Sequence, residues 1–191
     1  MTGLYGTITT VEDVRLATVA HLRTWSGTYI AEIARQKGAD LGEFRGYSTV
    51  TGDIFPICLV ACAGTSGAPE PHGDGTITAP YAVAAAAVVS GLTRDEATAA
   101  AGYYGAAIQA AILQHPSLGD FAIDTSWDGT AIEEVAWDIT QSIMACVCRF
   151  TIIVPGVLNT TLGPLTPPVT PGTPAVWPTV ITADATPTRA T

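Results

Sequence analysis

A chain of 191 residues with 48% hydrophobic residues and a mean hydropathy of +0.34 has enough apolar material for one core and an appendage. Seventeen acidic residues against eight basic ones leave a net charge of −9, which excludes the positive footprint of a nucleic-acid or anionic-membrane binder. Residues 82–89 fall short of the roughly 18–20 apolar residues that span a bilayer, and the opening MTGLYGTITTVEDVR has neither the basic nor the apolar region of a secretory signal.

In chain order, residues 1–9 read as a polar lead-in. Thr10 is an N-cap, with Glu12 and Asp13 in a first turn where the helix dipole favours negative charge. Val11, Val14, Thr18, Leu22, Trp25, Tyr29, Ile33 and Gln36 keep helical spacing, Leu16, Val19, Ala20 and Ile30 widen the stripe, and Ser26-Gly27 is a candidate kink. Lys37 and Gly38 stop the helix. The loop ADLGEFRGYSTVTGD reads as an ordered excursion over the surface.

IFPICLVACA, residues 54–63, is apolar on both faces, as expected of a central strand covered on each side. The turn-rich GTSGAPEPHGDG then leads to alternation at Thr76, Ile77 and Thr78, which predicts a long hairpin. Glu70, His72 and Asp74 in that connection have the residue types of a metal or acid–base cluster, and equally of a solvated loop; Glu70 and Asp74 are candidate interface residues.

Residues 80–116 organise the chain. Five alanines in PYAVAAAAVVSG would suit a helix, but Pro80 and Gly91 bracket the run and Val83, Val88 and Val89 favour a strand. Small side chains along it permit close packing by this chain's helices or by a neighbouring subunit. A helix follows, with Thr93 as N-cap, Glu96 reaching back to it, and Leu92 with Ala97 as a hydrophobic staple. Ala97, Ala101, Tyr104, Ile108, Ala111, Ile112 and His115 form its apolar stripe, and Pro116 ends it. Gly102 and Gly105 on the other face indicate close approach by another backbone or a loosened surface helix. Phe121, Ile123, Thr125 and Trp127 alternate as a strand that Asp128-Gly129 breaks, and GTAIEEVAWDITQ is either irregular or a short strand. From Ile143 to Val154, Met144, Cys146, Cys148, Phe150, Ile152 and Val154 alternate onto one face of the clearest strand.

The fold class is therefore α/β: a mixed or antiparallel sheet of about four to five strands packed by two main helices. Residues 1–158 form this body. Residues 159–191 form an extended, proline-rich tail, because proline fixes φ and removes a backbone donor. Trp177, Val180 and Ile181 are the tail's candidate interface residues, with Trp177 as the anchor. The four cysteines, Cys58, Cys62, Cys146 and Cys148, lie in strand-like apolar runs and read as reduced core thiols rather than a zinc set. No GxSxG elbow, phosphate-cradling glycine loop or HExxH is present, so neither enzyme activity nor a cofactor is expected. The pair Cys58 and His72 is what a small cysteine-dependent hydrolase would use, against the burial of that strand.

The succession IFPICLVACAG, PEPHGDGTITAPYAVAAAAVVS, TRDEATAAAGYYGAAIQAAILQHPSLGDFAIDTSWDG and CRFTIIV resembles tail terminator proteins of long-tailed actinobacterial phages over about residues 10–158. Similar proteins have an α/β fold, form a hexameric ring on the last ring of the tail tube, end its polymerisation and give the head its docking surface. The resemblance implies a virion protein, made in the bacterial host cytoplasm and placed at the head-proximal end of the tail. Its partners would be its own copies, the tail tube protein and head–tail connector proteins, with DNA passing the bore unbound and no membrane involved. A head-completion or neck connector protein of the same kind of particle is the alternative. The proline-rich tail departs from the resemblance; it is expected to lie against a neighbouring subunit or another particle protein.

Overall fold

The computed structural model describes residues 9–48, 55–73, 76–137 and 142–155. The segment 159–191 lies outside the described residues, as do Ile54 and Asp74. The elements are α1 (Val11–Lys37), β1 (Tyr47–Ser48), β2 (Ile57–Thr65), β3 (Glu70–Pro71), β4 (Ile77–Gly91), α2 (Arg94–Leu113), β5 (Asp124–Trp137) and β6 (Ser142–Val154). The fold is α/β. The main sheet has the order β1-β2-β4-β6-β5, with β3 paired to β4 outside that path. Only the β1–β2 pair is parallel among the described strands. No helix among the described residues is long and apolar enough to cross a membrane.

Both helices start with a full capping box. The Thr10 side chain accepts from the Asp13 N–H while Asp13 accepts from the Thr10 N–H at 2.8 Å, and Thr93 with Glu96 repeats the arrangement. Each box satisfies donors that a helix start leaves orphaned, an effect of about 1 kcal/mol. α1 closes on Gly38, whose φ of 62° is the left-handed conformation that a glycine adopts freely. It runs unbroken through Ser26-Gly27, where the sequence suggests a kink; Ser26 is buried and bonds the Tyr47 hydroxyl at 2.7 Å. The stripe of α1 is also rotated: His21 and Ser26 are buried, while Leu16 is half exposed and Val11 and Trp25 lie at the margin.

β4 lies between β2 and β6, and its register with β6 runs from Ala79–Val154 to Gly91–Ser142. Its helix-side residues, Ala79, Tyr81, Val83, Ala85, Ala87 and Val89, are buried against Val154, Ile152, Phe150, Cys148, Cys146 and Met144 of β6. Both helices pack on this one face and join these side chains in one cluster. α2 buries Ala97, Ala101, Tyr104, Ala107, Ile108, Ala111 and Ile112, much as its spacing predicts. Gly105 is buried with them. A Cβ there would run into the Cys146 thiol, so the close neighbour is a side chain of β6 rather than another backbone. Cys148 Sγ lies 3.4 Å from the Gly105 carbonyl, to which it donates. A Cβ at Gly91 would come within 2.8 Å of the Ala97 nitrogen, so only glycine fits the turn from β4 into α2.

Several expectations are corrected. Leu92 is 85% exposed and staples nothing, because Ala97 is too short to reach out to it. β5 does not end at Asp128: the register steps from Trp127–Phe150 to Gly129–Arg149, so Asp128 is the extra residue of a bulge and the strand continues to Trp137. β2 begins at Ile57, after a cis Phe55–Pro56 bond, and is not covered on both sides by the described elements. Its outward residues join a separate small cluster of Ile57, Val88 and Ala145, with Phe55, Leu59, Ile143 and Val147 packed around it.

His21 and His115 join the helices where α2 ends. His21 is buried and donates from Nε2 to the Ala111 carbonyl at 3.0 Å, while His115 stacks on Trp25 with ring centroids 3.9 Å apart. Burial pushes the His21 pKa below its ordinary value, the Ala111 carbonyl opposes this, and nearby His115 adds to the lowering. The unfolded chain thus binds a proton near pH 6.5 that the folded chain refuses, so stability falls as pH drops below that value. Asp13 is held low by its hydrogen bonds to Thr10, and its contribution is lost only below the ordinary carboxylate range.

Three outcomes follow from this packing. Ile108→Asp and Tyr104→Asp each place an unpaired charge under α2, costing several kcal/mol against a total of about 5–15 kcal/mol; both should lose soluble expression, and a parent-like melting curve would show that α2 does not bury this face. The melting temperature should fall between pH 7 and pH 5.5, and His21→Gln should flatten that slope. In the native protein Cys62, which is partly exposed, should be alkylated first, with Cys58, Cys146 and Cys148 reacting only on denaturation; mass spectrometry counts the adducts.

Candidate functional site

The Cys58–His72 pair is not assembled. The register sets Cys58 opposite Ala87 and places His72 beside Thr78, so roughly 30 Å of β4 separates them at about 3.4 Å per residue. Cys58 is fully buried, and burial, followed by the nearby Cys148, pushes its thiol strongly up and away from the thiolate. His72 is exposed, lies 3.0 Å from the Thr78 hydroxyl through Nε2, and donates its backbone N–H to the Thr76 carbonyl at 2.8 Å. Cys146 and Cys148 occupy the small-residue layer beneath α2, and Cys58 lies on β2 in the same core cluster. No group of three His, Cys, Asp or Glu side chains among the described residues has metal-binding geometry.

Of the candidate interface residues, Glu70 is described. It sits in the two-residue strand β3, opposite Thr78, and is exposed. Asp74, Trp177, Val180 and Ile181 lie outside the described residues. A cleft of about 220 Å³ between α1 and residues 43–47 holds Arg23, whose guanidinium lies 5.4 Å over the Tyr47 ring, and Glu43. Another, of about 150 Å³, lies between Asp40, Pro56 and Tyr104. Both are smaller than the roughly 300–1,000 Å³ usual for a small-molecule site.

The larger surfaces are on the sheet. On the side away from the helices, Pro80, Ala82, Ala84 and Ala86 of β4 run between Leu59 and Ala61 of β2 and Val147 and Thr151 of β6. An antiparallel sheet with one face on the core normally turns polar side chains to the other. Here the outward positions of β4 are apolar and small, while on the flanking strands Arg149 lies 3.6 Å from Glu133 of β5 and Thr151 donates to Asp128 at 2.8 Å. The signal was in the sequence: unbroken alanine through residues 84–87 places alanine on both faces of one strand. The second surface is the outer strand β5, where Trp127 is 48% and Ile132 44% exposed on the helix side of the sheet. Trp127 is braced there by its Nε1–H on the Thr130 hydroxyl at 3.2 Å, and Ile132 Cδ1 lies beside α2, 3.8 Å from the place a Gly102 side chain would take. Reading Asp128-Gly129 as a break hid this edge.

No protein-family profile matches the chain, and no curated protein matches it. Among solved structures, the chain is similar to one described as "Virion of native gene transfer agent (GTA) particle", with 14% sequence identity and a TM-score of 0.43, over 73% of this chain and 94% of that one.

Proposed function

We propose that this chain is a structural protein of a tailed virus-like particle, a tail terminator that forms a ring at the head-proximal end of the tail tube. In this role it stops tube growth and offers the surface on which the head docks. It works without an active site or cofactor: its task is to present different surfaces above, below and to each side. The observation that carries the reading is the alanine-lined outer face of the sheet, an apolar surface on a chain with net charge −9 that otherwise keeps its charges outside. Such a face belongs against another protein. The resemblance of residues 10–158 to phage tail terminators supports the same role, and the exposed Glu70 of β3 offers a polar contact at one end of β4. Acidic side chains facing a bore would let DNA slide rather than stick.

A reconstruction of the assembled particle tests the reading. The expected result is six copies in a closed ring between the last ring of tube protein and the connector. Copies within the connector itself would make this a neck protein instead, and a ring of another order would contradict the terminator assignment.

A further inference from the structure

β5 is the last strand of the sheet, and no described element pairs with its outer side over Asp124–Trp137. An open edge of that length offers a row of unused N–H and C=O groups to any extended chain. Two bulges blunt its ends, since the register steps at Asp128 and again at Val135. The run between them, Gly129–Glu134, pairs with β6 residue for residue and keeps an unbroken edge. A second copy of β5 is a poor cover for it. The strand carries Asp124, Asp128, Glu133 and Glu134 and no cation of its own, so pairing it with itself gathers like charge. The arginines beside it, Arg94 and Arg149, already face Glu134 and Glu133. The opposite edge of the sheet, β1, is two residues long.

The chain itself supplies a better cover. It leaves β6 at Val154, and Ile153 of that strand sits opposite Asp124, the first residue of β5. From there the run Gly129–Glu134 begins about 17 Å and ends about 34 Å along β5, at ~3.4 Å per residue. Residues 156–178 reach roughly 25 Å as a flexible chain and about 70 Å when fully extended, so they can bring Thr179 onto the run. After Pro155, the longest stretch free of proline and glycine is Thr179–Thr186. Its first four residues are all β-branched, and it is uncharged up to Asp184. We propose that Thr179–Asp184 adds as a strand to the outer edge of β5 in the same molecule, over Gly129–Glu134. Successive residues of a strand aim their N–H and C=O groups to opposite sides, and a proline sits on an edge strand with its N side to solvent. Pro178 therefore selects Thr179, Ile181 and Ala183 as the bonding residues and turns the N–H groups of Val180 and Thr182 outward. A tether of this length holds the segment at an effective concentration of roughly millimolar, so the contact forms ahead of one with a second copy. The last edge of the sheet is thereby closed to strands from other chains. The contact stands whether or not the chain is a tail terminator.

Hydrogen exchange of the full-length protein tests this, read at residues 129–134 on the amides that do not bond β6. In the parent these amides should be protected. Ile181→Pro and Thr179→Pro each remove an N–H aimed at β5, and each should speed that exchange at least tenfold. Thr182→Pro removes an outward N–H and should leave the exchange within about twofold of the parent. Amides of β4 and β6 should exchange alike in all four proteins, since the substitutions lie outside the body. Unprotected amides in the parent would overturn the proposal, as would parent-like exchange in both Ile181→Pro and Thr179→Pro. Loss of protection in Thr182→Pro equal to that in Ile181→Pro would overturn it too, because the segment would then not be held as a strand. Protection that rises with protein concentration would mean that a second copy holds the edge, and would also overturn it.

Discussion

The structure depends on how closely α2 can lie on β4 and β6. Alanine at 85 and 87, the thiols at 146 and 148, and glycine at 105 make a layer in which almost nothing stands between helix and sheet. Phe150, Leu22, Ile108 and Ile112 are among the largest fully buried side chains. Interiors packed this tightly have little room to relax, so even one added methyl group is felt. The cysteines are explained by the same layer: a thiol is small, apolar enough for the site, and at Cys148 able to donate to the Gly105 carbonyl.

Much of this was legible in the sequence, and the misreadings have definite causes. β6 is plain because every second residue from Met144 to Val154 is apolar, and both N-caps are plain because Thr10 and Thr93 precede acidic first turns, though the full box at Thr10–Asp13 emerges only in the structure. The length of β5 was hidden by Asp128-Gly129, a pair that resembles a turn and proves to be a bulge with Gly129 at a φ of 148°. His21 and Ser26 look like surface residues until one finds the Ala111 carbonyl and the Tyr47 hydroxyl that satisfy them. Apolarity on both faces of residues 54–63 predicts a cover on each side, and among the described residues only the helix side of β2 has one. Periodicity reports that a face wants burial and is silent on which chain provides it.

The same limit governs the functional surfaces. Glu70 stands out because long loops carry contacts, and it is exposed in β3. The alanine face carries no motif, since its chemistry consists of the absence of charge and bulk. Its position emerges only when the register shows which alanines look inward and which outward, and Trp127 becomes notable only when its strand is known to be the last in the sheet.

β6 is held on both sides, by β4 from Ala79–Val154 to Gly91–Ser142 and by β5 along nearly the same length. The chain leaves this strand at Pro155 and continues to residue 191. Any tension applied through that continuation runs along the strand axis and loads both ladders in shear, so their hydrogen bonds must fail together rather than one after another. The body is thus built to resist a pull applied at its C-terminal end. A pull on an interior strand loads two ladders at once, where a pull on an edge strand would peel one away.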